Sequence, residues 1–162
     1  MSFAVMASPV GALTLVATAA GLAAVLWECD DGARVRLDHG GHDPDHPVLS
    51  AATAQLAQYF AGQRRTFDLP LAPAGTPFQQ QVWAALRTIP WGETRSYAAI
   101  ATAIGRPTAI RAVGAANGRN PLSIVVPCHR VIGSNGALTG FAGGLAAKDL
   151  LLGIEGRQRA LV

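Results

Sequence analysis

Residues 125–133 read VVPCHRVIG: a cysteine, a histidine and an arginine set between valines and an isoleucine. The apolar flanks predict a buried strand, yet Pro127 has no amide hydrogen to give a sheet ladder. In an extended strand Cys128 and His129 would point to opposite faces. A working pair therefore needs a bend at Pro127 or a water that relays the proton. A thiol in apolar surroundings stays protonated and inert unless a base draws its proton away. A histidine used as that base wants an acid to orient it. Glu155, in the GIEG that ends the last predicted helix, is the first candidate and Asp149 the second. The competing reading is a buried cysteine with a packing role, the commoner fate of a lone thiol.

Upstream, TPFQQQVWAALRTIP (76–90) opens with a helix start signal: Thr76 as N-cap, Pro77 at the first helical position and Gln79 completing a capping box. Phe78, Val82, Trp83 and Leu86 form its predicted core face, and Pro90 stops it. Ser96 can cap a short helix running to Ile104 and ended by Gly105. After Arg106-Pro107, Thr108 starts a further predicted helix to about Asn117, which completes a helix-turn-helix pattern. That second helix, TAIRAVGAAN, carries Ala109, Ala112, Gly114, Ala115 and Ala116 around a single long side chain, Arg111. Readers of the major groove need several long polar side chains. A smooth Ala/Gly face with one arginine fits either close approach to a minor groove or helix–helix packing.

The N-terminal half reads differently. Residues 3–7, 12–18 and 22–28 predict a meander of short strands, and Val48–Phe60 an amphipathic helix ended by Gly62. RRTFDLP (64–70) predicts another short strand. Between them DGARVRLDHGGHDPDHP (31–47) is a polar loop; His39, His42 and His46 match no compact metal-site spacing, so no metal is assigned. LAPAG (71–75) is the best boundary, dividing the chain into 1–73 and 74–162.

Composition narrows the function classes. The chain has 162 residues, half of them hydrophobic and 14% charged, with 18 Gly and 10 Pro, which excludes a disordered chain and argues against a helical bundle. Residues 1–80 carry a net charge of −3 and residues 81–162 a net +6, so the C-terminal half is the one to meet a polyanion. Two cysteines are too few for a disulfide framework, and the uncharged run Val10–Trp27 is interrupted by Thr14, Thr18, Gly11 and Gly21. These features predict a reduced, cytoplasmic protein with no membrane partner.

The stretch from Thr76 to Gly156 resembles the C-terminal domain of the O6-alkylguanine-DNA alkyltransferases, the methylated-DNA–protein-cysteine methyltransferases. The resemblance rests on IPWGETRSYAAIA (89–101), IRAVGAANGRNPLSIVVPCHRVIGSNG (110–136) and FAGGLAAKDLLLGIEG (141–156); SPVGALTLVATAAGL (8–22) extends it more loosely through the N-terminal half. It implies an α/β (α+β) fold class: a small ribonuclease-H-like α/β domain with a β-sheet, followed by a mostly helical, winged-helix-like domain with a helix-turn-helix. It implies repair of O6-alkylguanine in double-stranded DNA, with O4-methylthymine a second candidate substrate, by base flipping and irreversible transfer of the alkyl group to Cys128, with no cofactor. Binding is expected in the minor groove, with little sequence preference, by a monomer; cooperative binding along DNA stays open.

In that resemblance Cys128 is the acceptor thiolate, His129 a base acting through water, and Glu155 its orienting acid. Asn120 braces the reactive segment, Tyr97 presses on a phosphate and helps protonate the departing guanine, and Lys148 lies near the active site. Arg111 replaces the flipped base in the stack, with Ser96, Tyr97, Ala112, Gly114 and Ala115 along the DNA-facing surface. Val131, Phe141, Ala142, Gly143, Asn117 and Ser123 fall around the substrate pocket. Phe141 stands where relatives often have Tyr, and Asn117 and Ser123 replace residues that are apolar in some of them. Two other classes compete: an alkyltransferase-like protein that binds damage without reacting, which would lack the cysteine, and a thiol-sensing transcription regulator, which would need longer side chains on the 108–117 helix.

Overall fold

The computed structural model describes residues 1–136 and 140–156. The chain is mixed α/β and divides into two compact units, Met1–Ala74 with Pro121–Val125, and Gly75–Asn120 with Val126–Val162. Pro121–Val125, which the sequence places with the C-terminal half, thus clusters with the first unit.

The first unit is built on a four-stranded sheet. β1 (Ser2–Met6), β2 (Leu13–Thr18) and β3 (Gly21–Leu26) form the expected antiparallel meander, and β4 (Gly41–His42) adds two residues parallel to β1, giving the order β3-β2-β1-β4. β3 is buried along its whole length because both sheet faces are covered. Val16, Ala24 and Leu26 lie under Phe3, Val35 and Leu37. Helix α1 (Pro47–Phe60) packs on β2 and β3 through Leu49, Ala52, Leu56 and Tyr59.

The polar histidine loop has local uses. His46 caps α1, its Nδ1 accepting from the Val48 amide at 3.2 Å, while the His42 and His39 rings lie 5.3 and 6.1 Å from Phe3. The strand expected at 64–70 does not form. Gln55 of α1 takes both backbone groups of Asp68 with its carboxamide, at 2.8 and 2.9 Å, so no neighbouring strand is needed there. Pairing begins only at Pro70, whose carbonyl accepts from Leu22 N–H at 2.8 Å, and Leu71 makes one parallel bridge with Leu22.

In the second unit, α2 (Pro77–Leu86) starts with the expected capping box: Gln79 N–H donates to Thr76 Oγ1 at 3.1 Å and Thr76 N–H to Gln79 Oε1 at 2.9 Å. Such a cap contributes about 1 kcal/mol. Gly75 just before it has no room for a side chain, since a Cβ would run into the Trp83 ring. α3 (Tyr97–Ala103) is capped by Ser96, which accepts from Ala99 N–H at 3.0 Å. It ends in a Schellman turn: Gly105, at φ +75°, donates to Thr102 and Arg106 to Ala101.

α4 (Ile110–Gly118) begins two residues later than expected. Arg106–Ala109 first closes a turn, with Ala109 N–H on the Arg106 carbonyl, so Thr108 lies in that turn and Ala109 is the N-cap. Trp83 Nε1–H donates to the Ala116 carbonyl at 2.9 Å and ties α2 to α4. A parallel pair, β5 (Arg95–Ser96) and β6 (Val131–Ile132), and α5 (Leu145–Ile154) complete the unit. Among the described residues no helix is long and apolar enough to cross a membrane.

The reactive stretch is not the extended strand its valines predict. Ile124 has φ +73°, and Val125 N–H reaches back to the Ser123 carbonyl at 2.9 Å, closing a γ-turn of the strained, positive-φ hand. At Pro127 (φ −81°, ψ 64°), Cys128 N–H donates to the Val126 carbonyl at 2.8 Å, an inverse γ-turn. Cys128–Arg130 then form one 3-10 turn, and only Val131 and Ile132 are paired as strand. Proline's fixed φ is close to what an inverse γ-turn needs, so Pro127 sets the bend instead of merely interrupting a ladder.

Candidate active site

The 3-10 turn changes the geometry of the reactive trio. Three successive residues now turn through one coil, where a strand would have alternated them between two faces. All three are buried: Cys128 is 4% exposed, His129 0% and Arg130 7%. The turn packs against α2 and α5.

Glu155, the C-cap residue of α5, converges on this turn and is itself buried. Arg130 donates Nε–H to Glu155 Oε1 at 2.7 Å and an Nη2 hydrogen to Oε2 at 3.0 Å, a two-pronged contact that a carboxylate accepts only when ionised. His129 Nε2 lies 2.7 Å from the same Oε2; an ionised carboxylate only accepts, so the hydrogen between them belongs to Nε2. The other ring nitrogen, Nδ1, is buried without a hydrogen-bond partner among the described residues. Burial pushes the His129 pKa below its ordinary 6.5; Glu155 pulls it upward, while Arg130 and Lys148 add to the lowering. The imidazole is therefore neutral at neutral pH, with one nitrogen held by an anion and the other open.

Two further buried groups hold the turn from either side. Asn120, just past α4, donates Nδ2–H to the Val126 carbonyl at 2.8 Å. Lys148 of α5, wholly buried, donates to the Val131 carbonyl at 2.6 Å, and its Nζ stands 5.8 Å from the centre of the Phe141 ring. Asn120, Lys148 and Glu155, from outside the turn, thus meet the short segment that carries Cys128 and His129.

Arg111, Ala112 and Ala115 are exposed on α4 and Gly114 is half-buried, with the Tyr97 ring beside it: a Cβ on Gly114 would meet that ring at 3.9 Å. Ser96 and Tyr97 sit at the joint where β5 turns into α3. Ile110, next to Arg111, adds an exposed apolar side chain that sequence reasoning did not single out. Val131 is buried, Phe141 and Gly143 are half-buried and Ala142 is exposed. Asn117 is buried on α4, its Oδ1 without a hydrogen-bond partner among the described residues. Ser123 lies in the first unit, where its hydroxyl accepts from Trp27 Nε1–H at 3.1 Å.

Arg130 is the member that sequence reasoning passed over. The signal was available: a guanidinium flanked by Pro127, Val131 and Ile132 must find an acid, and residues 81–162 contain only Glu93, Asp149 and Glu155. Glu93 is taken by Arg95 at 2.9 Å.

Comparison with known proteins gives the family. Residues 1–73 match the model of the 6-O-methylguanine DNA methyltransferase ribonuclease-like domain, and residues 77–157 that of the 6-O-methylguanine DNA methyltransferase DNA-binding domain. A methylated-DNA–protein-cysteine methyltransferase of Methanosarcina acetivorans is 47% identical over 156 residues, covering 96% of this chain and 99% of its own. The constitutive enzyme of that name from Bacillus subtilis is 63% identical over 110 residues, 67% of either chain. Among solved structures, Mycobacterium tuberculosis OGT in complex with DNA superposes with a TM-score of 0.87 at 46% identity, covering 96% of this chain and 92% of that one. By sequence along nearly its whole length and by fold, the chain belongs to the 6-O-methylguanine DNA methyltransferase family, the enzymes named methylated-DNA–protein-cysteine methyltransferases.

Proposed function

We propose that this protein repairs O6-alkylguanine in double-stranded DNA by moving the alkyl group irreversibly onto Cys128. The observation that carries this reading is the His129 imidazole, tied at Nε2 to an ionised Glu155 and open at Nδ1, on the residue next to a buried thiol. A water seated between Nδ1 and Cys128 Sγ would relay the thiol proton to His129. The thiolate then attacks the alkyl carbon in line, the carbon–O6 bond breaks, and the O6 electron pair returns to guanine, which takes up one proton. Tyr97 is the group proposed to help protonate the leaving base. The product is a thioether, which nothing in the site can hydrolyse, so each molecule acts once.

The reacting carbon lies inside the stacked duplex, so the nucleotide has to be turned out before a buried thiol can reach it. The exposed Arg111-Ala112 and Ala115 face supports minor-groove approach with little base readout, Arg111 filling the vacated stack, Tyr97 and Ser96 against the backbone, and Gly114 allowing close approach. Val131, Phe141, Ala142, Gly143 and Asn117 are proposed to receive the flipped base, Lys148 and Asn120 to hold the turn beneath it, and Ser123 to brace the chain leading to it. O4-methylthymine is a second candidate substrate. A monomer working in the cytoplasm, without cofactor or metal, completes the reading; 1–73 is proposed as the supporting domain and 74–162 as the reactive one.

The test is the intact mass of the protein after mixing with a duplex carrying one O6-methylguanine. A gain of one methyl, absent in Cys128→Ala, is the expected result. Tight binding with an unchanged mass would overturn transfer in favour of a protein that only holds the lesion.

A further inference from the structure

Arg130 spends all three guanidinium nitrogens on two distant pieces of chain. Nε and Nη2 grip the two oxygens of Glu155, and Nη1 donates to the Ile89 carbonyl, just past α2, at 2.6 Å. Burying an ion pair this deeply carries a desolvation cost that a pair of apolar residues would avoid. The fork also occupies the very carboxylate that His129 uses, with Oε2 shared between Nη2 and Nε2.

We infer that Arg130 is a positioning residue for alkyl transfer: by holding Glu155 as a pure acceptor, it locks His129 in the tautomer protonated at Nε2 and leaves the Nδ1 lone pair to take the Cys128 proton. This rests on the reading of Cys128 as acceptor and His129 as base. A carboxyl group as buried as Glu155, deprived of the fork, has two outcomes. It can take up a proton, because burial penalises its charge. A protonated Glu155 donates to Nε2, the imidazole hydrogen moves to Nδ1, and the base is lost at the atom where it is needed. Otherwise Glu155 stays ionised with its charge no longer offset by Arg130, and it holds the imidazole protonated to higher pH. Both outcomes reduce the working base at a given pH.

Few other charges act on this imidazole. Lys148 and Glu155 come from α5 and its cap and Arg130 from the turn itself; Asp149, half-buried, is the remaining charge on α5, and α2 brings only the amides Gln79, Gln80 and Gln81. Arg130 and Lys148 lower the His129 pKa and Glu155 raises it, so losing Arg130 alone moves the balance upward.

The experiment combines two readouts that need no DNA with one that does, all on a Cys29→Ser background so that only Cys128 reacts. In the unsubstituted site, 15N NMR of His129 should show a protonated Nε2 and a bare Nδ1; the opposite tautomer would overturn the proposal whether or not any variant folds. In Arg130→Gln the acid limb of the Cys128–iodoacetamide rate profile should move up by roughly one pH unit, slowing reaction by up to about tenfold on the acid limb and by no more than about threefold at pH 7. Arg130→Lys, which keeps the charge without the fork, should fall between. A folded Arg130→Gln with a lowered Tm but an unmoved acid limb and an unchanged 15N pattern would mean a structural role only, and would sink the idea. Methyl transfer from an O6-methylguanine duplex, run alongside, separates the two readings: its absence in a protein with the expected NMR and pH behaviour counts against the proposed function, not against Arg130.

Discussion

The side-chain amide of Asn120 donates to the carbonyl of Val126 at 2.8 Å, with Asn120 itself 1% exposed. Val126 is the residue from which Cys128 hangs by the inverse γ-turn, so one carbonyl receives both the brace and the turn that presents the thiol. Asn120→Ala leaves the turn without its brace and should cost about 1–3 kcal/mol of stability. Urea unfolding checks the stability, and the rate of methyl transfer should fall with it.

Ile124 reverses a familiar rule. A glycine normally destabilises relative to alanine, but at φ +73° the Cβ is the liability. Ile124→Gly should therefore unfold later than Ile124→Ala by about 1 kcal/mol, although both lose the same buried branched side chain. Paired thermal melts decide it.

His129 makes stability depend on pH in a defined direction. Burial lowers its folded pKa beneath the 6.5 it regains on unfolding. The unfolded chain thus binds the proton first, and the contribution of His129 is present above about pH 6.5 and lost as pH falls through the folded value. Between about pH 7.5 and 5, urea midpoints of the parent should drop more steeply than those of His129→Gln.

Arg111→Ala should separate reaction in duplex from chemistry on a free base. Loss of the exposed guanidinium on α4 is expected to slow repair of duplex O6-methylguanine by roughly tenfold or more, while reaction with free O6-benzylguanine changes little. Single-turnover rates on both substrates check it, and equal losses would count against a role in the stack.

Alkylated protein should melt lower than unreacted protein. Cys128 is buried where the turn meets α2 and α5, so added carbon overpacks that contact. Each kcal/mol of overpacking is worth about 2–4 °C in a chain of this length. Calorimetry before and after stoichiometric reaction gives the difference.

Local chemistry was the legible part of this fold. The Thr76 capping box, the Ser96 cap and the Gly105 stop each depend on residues within one turn of one another, and each formed as read. The 64–70 strand was misread because Gln55, on a different element, meets the backbone needs of Asp68. The double turn at Ile124 and Pro127 was hidden because Ile-Val-Val is the composition of a strand, and a positive φ at a β-branched residue has no signature in sequence. The partnership of His129 with Glu155 was anticipated twice, from the residues, where Glu155 stood ahead of Asp149 as the acid a histidine base wants, and from the family resemblance, which implies the same residue. The fork from Arg130 needed coordinates, although counting the acids available to a buried guanidinium would have pointed to it.

The central claim is that Cys128 is the sole and single-use acceptor. The most direct measurement titrates a fixed amount of protein with an excess of duplex carrying isotopically labelled O6-methylguanine and maps the label by peptide mass spectrometry. The account expects transfer to stop at one methyl per molecule, all of it on Cys128. Continued turnover, or label on the exposed Cys29 instead, would contradict it.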